Sequence, residues 1–147
     1  QSKNRMNYFP QMEEGKPYTK KITQVNTGKL NHIPSESNLN FVGTVNENKG
    51  SRYPRSVLKF SMHNVGNIHP TQKPVALFEY LIKTYTNENE LVLDNCIGSG
   101  TTAIACINTN RNYIGFELNK EYYELAKNRI NKHILDNNLQ DRYSLIA

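Results

Sequence analysis

The chain has 147 residues, 37% of them hydrophobic, with 18 Lys and Arg against 13 Asp and Glu for a formal net charge of +5. That length supports one ordinary domain core, and no apolar stretch approaches the ~20 residues of a membrane span. Two cysteines make no disulfide framework and no signal-peptide pattern opens the chain, so a reducing, cytoplasmic setting without membrane contact is expected.

The charge is divided unevenly. Residues 1–68 hold ten Lys and Arg against four Asp and Glu, whereas residues 69–147 hold eight against nine. The first part is rich in turn formers: residues 1–40 read as irregular, with a short strand around Lys21–Val25. Arg55–Phe60 reads as a strand with Tyr53-Pro54 as its turn. Positive charge interleaved with Asn, Ser, Gly and Tyr suits a surface that meets phosphates, or a loop-rich arm that orders on double-stranded DNA. Lys16, Lys20, Lys21, Arg52 and Arg55 are the candidate DNA contacts.

From Pro74 to about Tyr85 the apolar positions 77, 78, 81, 82 and 85 recur at helical spacing, with Pro74 suited to the first turn. Asn87–Glu90 breaks that helix. Leu91–Asp94 is a short apolar run ending in an acid, as a buried parallel strand would. Gly98-Ser99-Gly100 makes a tight turn, and a helix is expected from Ser99 or Gly100 to about Asn108. Asn108–Asn112 is a polar turn, Tyr113–Glu117 a second strand, and Asn119 the cap of a helix to about Leu135. Tyr123, Ala126, Ile130 and Ile134 share one face of that helix. Asp141–Ile146 reads as a third strand. Alternating strands and helices imply an α/β, doubly wound parallel sheet.

The strand–glycine loop–helix unit is where α/β proteins hold nucleotide-like ligands, because a glycine loop lets backbone approach and the helix N-terminus favours an anion. Gly98-Ser99-Gly100-Thr101-Thr102-Ala103 also satisfies the dinucleotide fingerprint, with Glu117 near the place of its ribose-binding acid. A glycine turn could equally serve only to pack a helix on a strand. Against that stand two acids at strand ends, Asp94 and Glu117, which flank one loop. A carboxylate so placed can accept hydrogen bonds from both hydroxyls of a ribose.

Upstream stands His69-Pro70-Thr71-Gln72-Lys73-Pro74, followed by the helical run from Val75. Together with Asp94–Thr102 and Glu117, this box resembles the DNA amino-methyltransferases, in the beta-class order of restriction-modification and phage enzymes that places the catalytic motif before the cofactor motifs. The resemblance covers residues 69 to about 130. The family loop is usually written D-P-F-x-G-S-G-T-T; here Asn95 stands for Pro and Cys96 for Phe, departures expected to alter packing.

The resemblance implies a Rossmann-like S-adenosylmethionine-dependent methyltransferase fold. It assigns Asp94, Gly98, Ser99 and Gly100 to the methionine and sulfonium end of that cofactor and Thr101 to a carboxylate at the helix N-terminus, and it places Asn95, Cys96 and Thr102 among the cofactor-binding residues, Cys96 in a packing role. Glu117 would hold the ribose, Leu118 the adenine face, and His69, Thr71, Gln72 and Lys73 would close the pocket from the other side. It further implies methyl transfer to adenine N6 or cytosine N4 of a base turned out of the duplex, with no metal. The family's catalytic motif, an acid or amide followed by Pro-Pro and an aromatic, is missing, since no two prolines are adjacent. It is expected upstream of Gln1, in an N-terminal portion of the same enzyme. The chain is thus read as an incomplete fold: a basic loop-rich segment, 1–68, and a cofactor-binding part, 69–147, inactive alone. Two rival readings are an NAD-binding oxidoreductase domain, which leaves the HPTQKP box unexplained, and a non-catalytic DNA-binding module.

Overall fold

The computed structural model describes residues 6–22, 44–61, 72–144 and 146. Met12–Pro54 forms one compact unit, and Gln1–Gln11 together with Arg55–Ala147 forms the other.

The first unit is an antiparallel ribbon. Strand β1 (Glu13–Glu14) pairs with β4 (Ser51–Arg52), and β2 (Tyr18–Ile22) with β3 (Thr44–Asn48). Glu14 opposes Ser51 and Tyr18 opposes Asn48, so residues 15–17 face only residues 49–50 and the ribbon carries a bulge. The bulge is fastened by Gly15 N donating to Gly50 O (2.7 Å) and by Asn48, whose Oδ1 accepts from Gly50 N (2.8 Å). Gly50 sits at φ +105°, which favours glycine.

Within the stretch expected to be irregular, residues 6–12 are so, whereas Glu13–Glu14 and Tyr18–Ile22 are strands. The strand anticipated at Lys21–Val25 begins earlier, at Tyr18, and residues 23–25 lie outside the described part. Arg55–Phe60 is not a strand: ladder pairing ends at Arg52, and Phe60 instead packs edge-on against Tyr80, ring centroids 5.8 Å apart.

In the second unit the helices and strands alternate as α1 (Val75–Tyr85), β5 (Leu91–Asp94), α2 (Thr101–Asn108), β6 (Asn112–Gly115) and α3 (Lys120–Asp136). β5 and β6 are parallel neighbours, in register from Leu91↔Asn112 to Asp94↔Gly115. This is the α/β pattern of a partial Rossmann-like fold. α2 is buried from Thr101 through Ile107 and forms the centre of the core. Ala103, Ile104 and Ile107 meet Ile130 and Ile134 of α3, while Ala105 and Cys106 meet Ile82 of α1. Of the four residues expected on one face of α3, Ala126, Ile130 and Ile134 are buried and Tyr123 is partly exposed.

Asparagine closes α2 and α3. Asn110 (φ +61°) follows α2 and Asn138 (φ +54°) follows α3, each in the left-handed conformation. After α3, Asn138 N donates to Leu135 O and Leu139 N to Ile134 O (3.1 and 3.0 Å); after α2, Asn110 N donates to Ile107 O and Arg111 N to Cys106 O (3.3 and 2.8 Å). Both are Schellman closures. The closure after α3 explains why the described residues of the expected third strand, Asp141–Ile146, form no strand. The chain reverses at Asn138 and runs as turns through Arg142, returning Leu139, Tyr143 and Ile146 to the α2–α3 core.

β6 is shorter than the expected Tyr113–Glu117. Phe116 N still donates to Asp94 O (3.0 Å), but Phe116 O then accepts from Ile97 N (2.9 Å) in the loop rather than continuing the ladder. Leu91, Leu93, Ile114 and Phe116 alternate onto the sheet face turned away from the core and remain exposed.

Candidate functional site

The loop between β5 and α2 is held by both acids expected at strand ends, Asp94 at the end of β5 and Glu117 two residues beyond β6. Asp94 Oδ1 accepts from Cys96 N (3.0 Å), and its Oδ2 accepts from the Thr102 hydroxyl on the first turn of α2. Glu117 Oε2 accepts from Gly98 N (3.0 Å), and its Oε1 from Asn119 N (2.9 Å). The two carboxylates therefore grip one loop, from β5 and from beyond β6. Gly98 and Gly100 take φ of +51° and +76°, so the loop uses the conformational freedom of both glycines.

α2 begins without a side-chain cap. The amides of Thr101, Thr102 and Ala103 have no acceptor among the described residues. Unpaired N–H groups and the helix dipole make such an end favourable for an anion. Beside it opens a cleft of about 100 Å³, lined by Gln72, Lys73 and Phe78 on one side and by Asp94, Cys96 to Ser99, Thr101 and Thr102 on the other. It is smaller than the roughly 300 Å³ at which whole-ligand pockets begin, so it fits one end of a ligand.

Gln72 is the most telling residue in this cleft. Only 4% of it is exposed, yet neither Oε1 nor Nε2 has a hydrogen-bond partner among the described residues. A buried amide left unpaired costs about 1–3 kcal/mol, an expense that a ligand carrying both a donor and an acceptor would remove. The segment bearing Gln72 is tied to α2 by the Thr101 hydroxyl, which donates to Lys73 O (3.4 Å).

The remaining sequence candidates lie as follows. Asn95 and Cys96 are exposed in the turn after β5, and Gly100 is the N-cap of α2. Leu118 is fully exposed next to Glu117, and neither lines the cleft. His69 and Thr71 lie outside the described residues. Lys16, Lys20, Lys21 and Arg52 belong to the ribbon unit, whereas Arg55 belongs to the other. Two participants escaped the sequence reading: Phe78, which was counted only as core, and Arg129, which reaches the glycine loop from α3. Arg129 lies between Ala126 and Ile130 in the buried stripe of its helix, and a cation inside an apolar stripe was the available signal.

The model of the DNA methylase family for N6 and N4 methylation matches residues 1–128. The chain belongs to the N6/N4 DNA methylase family. Its relatives include the type II methyltransferase M.HpaI of Haemophilus parainfluenzae, 44% identical over 59% of this chain and 29% of its own length. The type II methyltransferase M.HindIII of Haemophilus influenzae is 36% identical over 72% of this chain and 28% of its own. The crystal structure of M1.HpyAVI in complex with SAM shares 45% identity over 58% of this chain and 43% of that one, with a TM-score of 0.48. The chain thus spans under a third of the length of these type II methyltransferases.

Proposed function

We propose that this DNA methylase chain binds S-adenosylmethionine at the glycine loop and double-stranded DNA through its basic part. In the complete enzyme it would serve transfer of a methyl group to adenine N6 or cytosine N4. The observation that carries the reading is that Asp94 and Glu117 hold one glycine loop against a cleft containing the unpartnered Gln72. The bound sulfonium would supply an activated methyl group. Gln72, Ser99, Thr101 and Thr102 would hold its amino-acid end, with Asp94 near the positive groups. Glu117, whose two oxygens keep spare lone pairs, would accept the ribose hydroxyls, and exposed Leu118 would lie along the adenine. No Pro-Pro-aromatic motif occurs in the 147 residues, so the chain binds without methylating by itself. The exposed apolar face of Leu91, Leu93, Ile114 and Phe116 is where further secondary structure of the complete enzyme would pack.

Calorimetric titration tests the cofactor: S-adenosylmethionine and S-adenosylhomocysteine bind and NAD does not. Binding of NAD alone would establish the oxidoreductase reading instead.

For DNA, the ribbon supplies a sided surface. Residues directly opposite share a face, so Tyr18, Lys20, Asn46 and Asn48 lie on one side and Thr19, Lys21, Val45 and Glu47 on the other. Lys21 shares its face with an acid. Lys20 does not among these positions, and the Arg52 guanidinium lies over the Tyr18 ring at 5.9 Å. We therefore place phosphate contact on the Lys20 face. Lys20→Ala should weaken binding several-fold and lower the salt slope by about 1, with Lys21→Ala nearly silent in the same fluorescence-anisotropy salt series. Equal effects of the two would refute the sidedness.

A further inference from the structure

We propose that Arg129 is a positioning residue whose charge, acting through Ser99 and Thr101, makes the cleft select the charged amino-acid end of its ligand. The inference rests on the cofactor reading above and adds a residue that lies outside the loop and its flanking motifs.

The geometry is specific. Arg129 Nη1 donates to Ser99 O (2.8 Å), Ser99 Oγ (3.2 Å) and Thr101 Oγ1 (3.1 Å). Both residues line the cleft. All three acceptors are neutral, and no carboxylate pairs with Arg129 among the described residues. Burial lowers its pKa, with no acid offsetting the effect. A partly buried cation without a counter-ion is costly. Clamping a loop by hydrogen bonds alone needs only a neutral donor, so the retained charge calls for an anionic partner that arrives later.

Two independent features have the same polarity. The unpaired amides of Thr101, Thr102 and Ala103 add the positive end of α2. Gln72, buried and without a partner among the described residues, offers a donor to a carboxylate and an acceptor to an ammonium group, which together describe an α-amino acid. Arg129 also orients the hydroxyls. Because it donates to both hydroxyl oxygens, each hydroxyl hydrogen must point elsewhere. That of Thr101 goes to Lys73 O (3.4 Å), leaving the Ser99 hydroxyl to donate to Thr101 or into the cleft.

The test compares ligands that differ only at the amino-acid end. The wild-type chain, Arg129→Met and Arg129→Lys are titrated with S-adenosylmethionine, S-adenosylhomocysteine and methylthioadenosine, which lacks the amino-acid end, after circular dichroism has established folding. Arg129→Met should raise Kd for the first two ligands about tenfold and for methylthioadenosine less than about twofold, as expected for loss of one nearby charge. Arg129→Lys should keep the wild-type preference to within about threefold, since it retains the charge. A uniform loss for all three ligands, or no change for any, overturns the inference. Should Arg129→Met not fold, Arg129→Gln, which also removes the charge, decides by the same ratio. A wild-type chain that binds none of the three ligands overturns the cofactor reading itself, whereas normal wild-type binding with uniform losses in the variants overturns only the role of Arg129.

Discussion

Gly100→Ala should lower the thermal unfolding midpoint of the chain by on the order of 10 °C. Two costs combine. At φ +76° an L side chain is strained by about 1–2 kcal/mol. A Cβ at this position would also stand 3.0 Å from Ile130 Cδ1, 3.1 Å from Ile130 Cγ1 and 3.4 Å from Ala126 Cβ. Both neighbours belong to the packed face of α3, so relief requires α3 and the loop to part, at about 1–3 kcal/mol. The double variant Gly100→Ala/Ile130→Val, which removes Cδ1, should recover part of the steric cost and none of the backbone cost. Differential scanning calorimetry of the variants separates the two, and an unchanged midpoint for Gly100→Ala would mean that the loop does not adopt this conformation.

Asp94→Ala should reduce S-adenosylmethionine affinity by about 100-fold or more, because two hydrogen bonds to one charged group are lost, at about 1.5–3 kcal/mol each. The effect acts largely through the loop. Asp94 accepts from Cys96 N and from the Thr102 hydroxyl, joining the end of β5 to the first turn of α2. Asp94→Asn keeps one acceptor and should fall between the two. Thr102→Val, which removes only the hydroxyl, should weaken binding measurably although Thr102 bears no charge. If Asp94 served the ligand alone, Thr102→Val would bind as wild type in the same titrations.

The segment from Pro74 to Asp136 was legible because its instructions are local. Apolar residues at helical spacing, Pro74 at a helix start and a capping asparagine each act within one turn of themselves. Asn119 does accept from Glu121 N and Tyr122 N. The ribbon was not legible, because neither strand alternates apolar and polar residues. Tyr18-Thr19-Lys20-Lys21 and Val45-Asn46-Glu47-Asn48 are polar on both faces, and their pairing is stated only by contacts across a long stretch of chain. Arg55–Phe60 misled for the converse reason: its β-forming residues are present, but Phe60 is used against Tyr80 rather than in a ladder. At the site, the two acids and the glycines could be read from spacing. That Asp94 and Glu117 grip the loop with their own carboxylates could not, nor could Arg129, whose partners lie thirty and twenty-eight residues away. Such links arise only when α3 packs against α2.

The central claim is that one loop, fastened by carboxylates at the end of β5 and just beyond β6, receives the cofactor with its amino-acid end toward Gln72 and its ribose toward Glu117. A crystal structure of the chain with S-adenosylhomocysteine tests it most directly. The account predicts a carboxylate within hydrogen-bond distance of the Thr101 end of α2, the Gln72 amide engaged, and both ribose hydroxyls on Glu117. Nucleoside density on the far side of the sheet, or a ligand that leaves Gln72 unpaired and Glu117 untouched, would contradict it.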